Sequence, residues 1–519
     1  MRVRPLILTL PALILLASVP VRAQTFPTDD AVVERIWEEG MEQSMTPRLA
    51  QVLMDSIGPR LAGSPELAAA QAWLLAMYES WGVPARSEEY GTWYGWRQGT
   101  LHVDLVAPRP QTLEAELLAY SAGNDRPVEG DVVVPPAGLT EESAARWLET
   151  VAGKYVLTSP PEPMCRAPQE LQKYARSETV ARLDSLRQAL RGDMSGRMRE
   201  LGRSWRDRER ALEDAGAAGI VTSRWSGGWG VNKVFDAGTR QVPAIDISCE
   251  DYGMLFRMAE AGQGPRIRVH AVAEDLGEVP QFNVIAELRG TELPEEYIVL
   301  SAHLDSWHAG TGATDNGTGT IMMLEAMRIL KAAYPSPRRT IVVGHWGAEE
   351  MGLIGSRSFV EDHPEIIEGL QVAFNQDNGT WRIERIEGQG FIGAGPHIAR
   401  WMSLVPREIS GHVTLEFPGA QNNRGSDHSS FVCMGAPAFR LQSNYDEYRQ
   451  YTWHTNRDTY DKIVFDDLKE NATLAAMLAY AASEDPERVP GDQALLPVDP
   501  RTGEPRPWMR CGTARRSPN

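Results

Sequence analysis

Cysteine is scarce in this sequence, with four residues among 519, at positions 165, 249, 433 and 511. Their spacing does not match the closely paired cysteines of a zinc knuckle, and four scattered cysteines are too few to staple a small disulfide-rich fold. Both of these classes are therefore excluded. A bridge between Cys165 and Cys249 stays open, because both cysteines fall in the same predicted domain.

Positive charge is also in deficit. The chain has 52 Lys and Arg against 70 Asp and Glu, which gives a formal net charge of −18. A protein this acidic is a poor candidate for binding nucleic acid or an anionic membrane surface, so we expect no nucleic-acid partner. Long apolar runs are missing after the first 23 residues, and no later segment is expected to span a bilayer.

The first residues have the organisation of a secretory signal peptide. In MRVRPLILTLPALILLASVPVRAQ, Arg2 and Arg4 precede a short apolar run, and Val21 and Ala23 offer small side chains where a signal peptidase reads the chain. We therefore predict a signal peptide over residues 1–23 and a secreted or periplasmic protein that leaves the membrane after cleavage. An uncleaved membrane anchor is the alternative, but the apolar run is short for a spanning helix.

The length of 519 residues predicts two domains, or one large domain with an insertion. Four segments follow the signal peptide: a helical lead-in at 24–115, short strand-like runs at 116–275, alternating strands and helices at 276–485, and a proline-rich tail at 486–519. The alternation in the third segment predicts an α/β sheet covered by helices on both faces. The tail is expected to be extended or partly disordered.

Within the second segment, residues 168–215 are rich in arginine. Apolar side chains recur there three or four positions apart, the spacing of one long helix: Leu183, Leu186, Leu190, Met194, Met198, Leu201 and Trp205. Acidic residues are interspersed throughout the segment. We therefore interpret it as a helix packed on its own domain with a charged outer face, rather than as a partner-binding surface.

Two adjacent carboxylates, Glu349 and Glu350, follow the apolar run RRTIVV, where a core strand is expected to end. Neighbouring side chains in an extended chain point to opposite sides, so the two glutamates are expected to have different roles. Other strand ends in the same region carry His303 and Asp305 in VLSAHLDS, and Asp377 in AFNQDNGT. His303 and Asp305 would share a face if their strand continues through both.

The remaining candidate ligands are Asp315, in the glycine-rich turn TGATDNGTG, and His454, in YTWHTNRDT. Histidines and carboxylates at strand ends suit zinc or a closely related ion. Asp315 is the best candidate to bridge two ions, because a carboxylate has two oxygens and the glycines allow close approach. One of the two glutamates would then bind metal, and the other would transfer a proton from the attacking water to the leaving amine.

In this order, the motifs SAHLDS, GATDNGTG, GAEEMGLIGS, NQDNGT, GSDHSSF and WHTNRDTYDKI resemble the co-catalytic dizinc aminopeptidase family, which includes plasma glutamate carboxypeptidase-like enzymes and glutaminyl cyclases. The resemblance covers residues 280–480 and, through RLAGSPE, residues 31–110. It implies an α/β fold: a three-layer α/β/α sandwich with a mixed, mostly parallel central sheet. The runs GKYVLTS, AGAAGIVTS and VPAIDIS resemble an inserted β-rich protease-associated domain over 116–275, which would wall the substrate cleft.

The resemblance also implies the ligand set of two Zn²⁺ ions, with Co²⁺ or Mn²⁺ as alternatives. One ion would be held by His303 and Asp377, the other by Glu350 and His454, and Asp315 would bridge them.

The same resemblance makes Glu349 the general base and acid, and Asp305 a residue that orients His303. Asp427 and His428 would line or support the site. The sequence departs from the family at Trp453, where many members have a tyrosine whose hydroxyl steadies the oxyanion. An indole cannot ionise, so Tyr445, Tyr448 or Tyr451 is the alternative oxyanion donor.

These implications predict an exported zinc metallopeptidase of the aminopeptidase type that cleaves peptides or dipeptides near a terminus. Whether it acts as an aminopeptidase or in the carboxypeptidase direction stays open, as does a homodimer. A glutaminyl cyclase on the same fold is the first alternative, favoured by the Trp453–His454 pair. A non-catalytic, receptor-like homologue is the second, and the intact ligand set argues against it.

Overall fold

The computed structural model describes residues 29–377, 379–421 and 425–518. The signal peptide predicted for residues 1–23 lies outside these ranges and stays a prediction. Among the described helices, none combines the length and the apolar character that a bilayer crossing requires. Two disulfides are present, Cys165–Cys249 and Cys433–Cys511, with S–S distances of 1.97 and 2.06 Å. The first is the bridge that the sequence left open.

Strands and helices alternate through most of the described chain. The strands are β1 Ala85–Ala107, β2 Gln111–Thr112, β3 Ala115–Leu117, β4 Val128–Val133, β5 Tyr155–Leu157, β6 Gly219–Thr222, β7 Ala244–Ile247, β8 Arg266–Leu288, β9 Leu293–His303, β10 Arg339–Trp346, β11 Leu370–Asn375, β12 Ile383–Glu387, β13 Thr414–Glu416 and β14 Ala438–Ser443. The α-helices are α1 Ala31–Trp37, α2 Thr46–Gln51, α3 Pro65–Ser80, α4 Glu141–Leu148, α5 Pro168–Tyr174, α6 Ser177–Arg199, α7 Trp205–Asp214, α8 Cys249–Glu260, α9 Thr318–Ala333, α10 Ile354–Asp362, α11 Pro364–Glu368, α12 Ala394–Met402, α13 Arg407–Ser410, α14 His428–Val432 and α15 Phe465–Glu484. Shorter π-helical turns include Ala313–Gly317 and Tyr448–Thr452.

The strands join into one mixed sheet in the order β13-β12-β14-β11-β9-β10-β8-β4-β5-β6-β7-β3, with β1 paired to β8. Four adjacent strands, β14, β11, β9 and β10, run parallel to one another. Every residue of β10 and β11 is buried, so helices cover both faces of this part of the sheet. The predicted α/β fold with a mostly parallel sheet between two helical layers is confirmed.

Two 23-residue strands, β1 and β8, pair along their length and extend the sheet away from these parallel strands. Between them, residues 108–265 contribute a second sheet region in which β4, β5, β6 and β7 are parallel and β3 is antiparallel to β7. Helices accompany these strands, so this unit has α/β character as well as the expected short strands. Its identity as an inserted protease-associated domain stays a prediction.

The arginine-rich segment 168–215 differs from the single long helix expected. It forms three helices, α5, α6 and α7, of which α6 has 23 residues. The break before α7 has a local cause: the Ser204 side chain accepts the N–H of Asp207 and starts a new helix. Leu183, Met194 and Met198 are buried, whereas Trp205 is exposed.

The proline-rich tail has no helix or strand among residues 486–518, yet it is fixed to the rest of the fold. Cys511 is bonded to Cys433 beside α14, and the Arg516 side chain pairs with Asp362 at the end of α10. The backbone carbonyl of Arg516 also accepts the N–H of Thr92 in β1. The end of the tail is therefore held against the rest of the fold by a disulfide and by polar contacts of Arg516.

Candidate metal centre

All candidate ligands follow the carboxyl ends of the four adjacent parallel strands. His303 ends β9, Glu350 follows β10, and Asp377 follows β11. Asp315 lies in the π-helical turn between β9 and α9, and His454 follows the turn after β14. Open α/β sheets bind ligands at this edge, because the loops after neighbouring parallel strands converge there.

These side chains form two groups that share one carboxylate. His303 Nε2 lies 3.5 Å from Asp315 Oδ1 and 3.4 Å from Asp377 Oδ1. His454 Nε2 lies 3.4 Å from Asp315 Oδ2 and 3.0 Å from Glu350 Oε2. Each oxygen of Asp315 therefore faces a different histidine, which is the arrangement of a carboxylate that bridges two ions.

Several of the candidate metal-binding atoms are buried without a hydrogen-bond partner, as expected for atoms that bind a cation. Nε2 of His303, Oδ2 of Asp315 and Oε1 of Glu350 are buried, and within the described part of the chain they have no hydrogen-bond partner. Buried carboxylates without a compensating positive group are strongly unfavourable. Imidazoles and carboxylates at this spacing are a chemically suitable site for zinc and related divalent ions.

Burial shifts the pKa values of one histidine and one glutamate in directions that suit metal binding and proton transfer, respectively. Burial lowers the pKa of His454 to about 4, so its imidazole is neutral near pH 7, the form that binds metal. Burial raises the pKa of Glu349 well above the usual carboxyl value, and the charges of Asp377 and Asp427 add to this shift. A raised pKa makes a carboxylate a better proton acceptor near neutral pH.

Glu349 and Glu350 lie in a turn after β10 and not in extended chain, so the expected alternation of their side chains does not apply. Asp305 fixes this turn. Its Oδ1 accepts the N–H of Glu349 at 3.0 Å, and its Oδ2 accepts the N–H of Glu350 at 3.2 Å. β9 ends at His303, before Asp305. The backbone carbonyl of Asp305 lies 3.0 Å from His303 Nδ1, and Asp305 Oδ1 lies 3.6 Å from the same nitrogen.

Glu350 and His454 are held by the chain around them. The indole N–H of Trp307 donates to Glu350 Oε2 at 2.8 Å. The backbone carbonyl of His454 accepts the N–H of Val234 at 2.9 Å, and the ring of Phe235 packs edge-on against the His454 ring at 5.0 Å. Residues between β6 and β7 thus form one side of the site.

Sequence reasoning missed two buried residues that shape the Asp315 loop. Asp458 accepts the N–H groups of Thr314 and Asp315, at 2.7 and 3.0 Å. The fully buried Arg60 donates to the carbonyls of Leu304, Thr311 and Gly312, at 2.7 to 2.8 Å. Both residues lie in motifs that carry the family resemblance, RLAGSPE and WHTNRDTYDKI. A charged residue inside such a motif was the signal that the sequence offered.

The other predicted residues lie at different distances from the cleft. A cavity of about 340 Å³ is lined by Glu349, by four of the metal-site residues, and by Trp453, Tyr445 and Tyr448. Tyr451 lines the neighbouring cavity instead. Asp427 and His428 are fully buried and are absent from the described lining of the metal cavity.

Trp453 stacks on the ring of His454, with ring centroids 3.9 Å apart. Trp453 therefore packs against this candidate ligand from the cavity side. The hydroxyl-bearing rings on the same cavity are those of Tyr445 and Tyr448, so the structure leaves these two as the neighbouring candidates for an oxyanion donor.

Comparison with known proteins agrees with this geometry. Residues 283–479 match the family described as Peptidase family M28. Carboxypeptidase Q of Rattus norvegicus is 26% identical over 448 residues, which covers 85% of each chain. A peptidase M28 precursor from Shewanella amazonensis superposes with a TM-score of 0.65 at 25% identity, over 88% of this chain and 97% of that one.

BSAP, a zinc aminopeptidase from Bacillus subtilis, superposes with a TM-score of 0.55 at 18% identity, over 86% of this chain and 96% of that one, and this likeness supports the fold. The matched segment 283–479 contains all five candidate ligands and Glu349. Over these residues, the chain is similar to peptidase family M28.

Proposed function

We propose that this chain is an exported exopeptidase that hydrolyses peptide bonds near a peptide terminus with two zinc ions and Glu349 as general base. The family and the clustered donor set make the chain a metallopeptidase. The proposal adds three points to this assignment: the number of metal ions, the identity of the general base, and export from the cytoplasm. Cobalt or manganese could replace zinc at a site of this donor type.

The observation that carries the proposal is the position of Asp315. It belongs to both ligand groups, one with His303 and Asp377 and the other with Glu350 and His454. A protein that bound a single ion would not need a carboxylate whose two oxygens face two separate histidines.

When bound, the ions would acidify water and polarise the carbonyl of the scissile bond. Glu349, which faces the same cavity without belonging to either ligand group, would accept the proton of the attacking water and pass it to the leaving amine. Asp305 would hold Glu349 in place through its backbone N–H. Tyr445 or Tyr448 would donate a hydrogen bond to the developing oxyanion.

Export is supported by the disulfides. Cys165–Cys249 and Cys433–Cys511 use all four cysteines of the chain. Paired cysteines of this kind persist in secreted and periplasmic proteins and are rare in a reducing cytosol. Together with the signal peptide predicted for residues 1–23, they favour a secreted or periplasmic location.

The proposal is tested with zinc-loaded protein on aminoacyl-nitroanilides and unblocked dipeptides. We expect turnover by the wild type and a loss of ~10²- to 10⁴-fold in kcat for Glu349→Gln, with the zinc content unchanged. Glu79→Gln, which changes an exposed glutamate of α3, is the matched control and should keep wild-type activity. Equal, non-zero turnover by wild type and Glu349→Gln would remove Glu349 from the mechanism.

The glutaminyl cyclase reading keeps one argument, the Trp453–His454 stack. Metal analysis separates the two, because the resemblance implies one zinc for cyclases of this type and two for peptidases. We expect two zinc ions per chain, and one ion together with cyclisation of a glutaminyl peptide would favour the cyclase.

A further inference from the structure

Three arginines line the metal cavity, although the ligands of this site are carboxylates. Arg357 comes from α10, Arg440 from β14, and Arg449 from the π-helical turn Tyr448–Thr452. They approach the cavity from three separate elements. A chance surface charge would not recur on each of them, so the positive lining requires its own explanation.

None of the three forms an ion pair with a carboxylate among the residues that the structure describes. Other arginines of the same domain behave differently: Arg328 pairs with Glu39 at 2.7 Å, and Arg339 pairs with Glu296 at 2.6 Å. The guanidinium group is always charged at physiological pH and presents several donors in a fixed plane. Cavity-lining guanidinium groups without a partner carboxylate are available to an anionic ligand.

Arg440 is the most buried of the three, with 5% of its surface exposed. One of its nitrogens, Nη2, donates to the backbone carbonyl of Asp377 at 3.0 Å and to the Tyr445 hydroxyl. Its Nε is buried and has no hydrogen-bond partner in the described chain. A buried donor in this condition is unfavourable unless a ligand completes it.

Arg449 is exposed and held by aromatic rings. Its guanidinium carbon lies 4.8 Å from the Trp453 ring centroid and 5.6 Å from that of Tyr445. Trp453 in turn stacks on His454. The charge of Arg449 is therefore one ring away from a metal ligand, close enough for one short substrate to contact both. Stacking also orients a guanidinium without consuming its hydrogen-bond donors.

The arginines are not needed to neutralise the metal site. Two divalent cations would offset the carboxylates of Asp315, Asp377 and Glu350 together with that of Glu349. A peptide substrate, by contrast, carries one anion at a fixed place, the carboxylate of its last residue. Planar guanidinium groups bind such a carboxylate through paired, charge-assisted hydrogen bonds.

We propose that Arg449, Arg357 and Arg440 bind the free α-carboxylate of the residue that is released, so that the enzyme acts in the carboxypeptidase direction on dipeptides and short peptides with an unblocked C-terminus. This proposal rests on the proposed function and names its substrate class. Arg449 and Arg357 would contact the carboxylate, and Arg440, more buried, would complete the positive wall. The free amine of the substrate would not be the group that is recognised.

The test compares matched substrates with zinc-loaded protein: alanyl-leucine, alanyl-leucinamide and N-acetyl-alanyl-leucine. We expect kcat/KM to fall ~100-fold or more when the carboxylate is replaced by the amide, and by less than ~10-fold when the amine is acetylated, because an unpaired guanidinium penalises the amide. In Arg449→Gln and Arg357→Gln, the ratio of kcat/KM for alanyl-leucine to kcat/KM for its amide should fall ~10-fold or more. Arg449→Lys should recover part of it, since the charge is kept and the planar fork is lost.

Arg407→Gln, at the start of α13 and away from the cavity, is the matched control and should keep the wild-type ratio. A second readout does not need turnover: calorimetric binding of alanyl-leucine and its amide to Glu349→Gln protein. The dipeptide should bind more tightly than the amide, and adding Arg449→Gln should remove the difference.

The outcomes separate the two proposals. If no peptide is hydrolysed by zinc-loaded wild type, the proposed function fails, and the calorimetric comparison still decides carboxylate binding. If acid and amide are hydrolysed with equal kcat/KM, or if only acetylation abolishes activity, carboxylate recognition is overturned and the peptidase assignment stands.

Discussion

The carboxylate of Asp458 accepts the backbone N–H of Asp315 at 3.0 Å, although the two residues are 143 positions apart in the chain. Its other oxygen accepts the N–H of Thr314 at 2.7 Å. The bridging candidate therefore stands on a loop whose backbone is fixed by a distant, buried acid. The order of the ligand atoms depends on this contact as much as on the ligands themselves.

Removing this support should weaken metal binding. In Asp458→Ala, two buried N–H groups lose their acceptor and the Asp315 loop can shift, so we expect zinc affinity to fall ~10- to 100-fold. Asp458→Asn keeps one acceptor oxygen, so its zinc affinity should lie between those of Asp458→Ala and the wild type. Competition with a chelator measures the affinity, and wild-type affinity in Asp458→Ala would contradict the role assigned to this residue.

Asp305 should matter for the rate more than for metal content. Asp305→Ala removes the acceptor of the Glu349 and Glu350 N–H groups. Glu349, the proposed general base, then loses its fixed position, and kcat should fall ~10- to 100-fold. Asp251, which accepts the N–H of Glu114 at 2.9 Å and does not line the metal cavity, offers the matched control. Asp251→Ala should lower stability without changing kcat, and equal kcat losses in both variants would point to a general folding defect.

The two disulfides should stabilise different parts of the molecule. Cys433–Cys511 closes a loop of 78 positions and holds the tail, and its replacement by serines should lower the free energy of unfolding by about 2–4 kcal/mol. The matched change at Cys165–Cys249, with a separation of 84 positions, should have a similar cost. Limited proteolysis distinguishes them, since only loss of Cys433–Cys511 should release the tail. A tail that stays resistant would show that Arg516 and its neighbours suffice.

Glu116 in β3 lies directly opposite Asp246 in β7. Burial, with the charges of Asp246 and Glu114, raises the pKa of Glu116 to about 8, while Arg457 acts in the opposite direction. An acid whose folded-state pKa exceeds its unfolded value of about 4.3 destabilises the fold progressively as the pH rises between those two values.

Glu116→Gln removes this effect. The stability of the variant relative to the wild type should rise by on the order of 1 kcal/mol between pH 5 and pH 8, after discounting for partial exposure of Glu116. Denaturant unfolding at a series of pH values measures the difference. Parallel stability curves for the two proteins would show that Glu116 ionises normally in the folded state.

Much of this organisation could be predicted from the sequence because it depends on neighbouring residues. Apolar runs such as residues 341–343 in β10 predict buried parallel strands, and polar residues shortly after such strands predict ligands at one edge of the sheet. The residue types that bind zinc can also be identified in the sequence. The Arg-rich segment shows the limit of this approach, because its apolar spacing continues through the break before Ser204.

The support of the site could not be predicted in the same way. The strand ends before Asp305, yet Asp305 Oδ1 still lies 3.6 Å from His303 Nδ1, so its predicted role in orienting His303 stays a prediction. Its second contact, with the N–H groups of Glu349 and Glu350, could not be predicted from the sequence. Arg60 and Asp458 fix the Asp315 loop across 252 and 143 positions of chain. A pattern of adjacent residues carries no information about such contacts.

The sequence by itself determined which side chains can bind cations and that they follow strand ends, because secondary structure and ligand chemistry are properties of short stretches. The tertiary structure alone decided that each oxygen of Asp315 faces a different histidine and that three arginines line the same cavity as Asp315. The physical reason is that distance and orientation between remote residues are set by how β9, β10, β11 and β14 pack together, and this packing is a property of the whole chain.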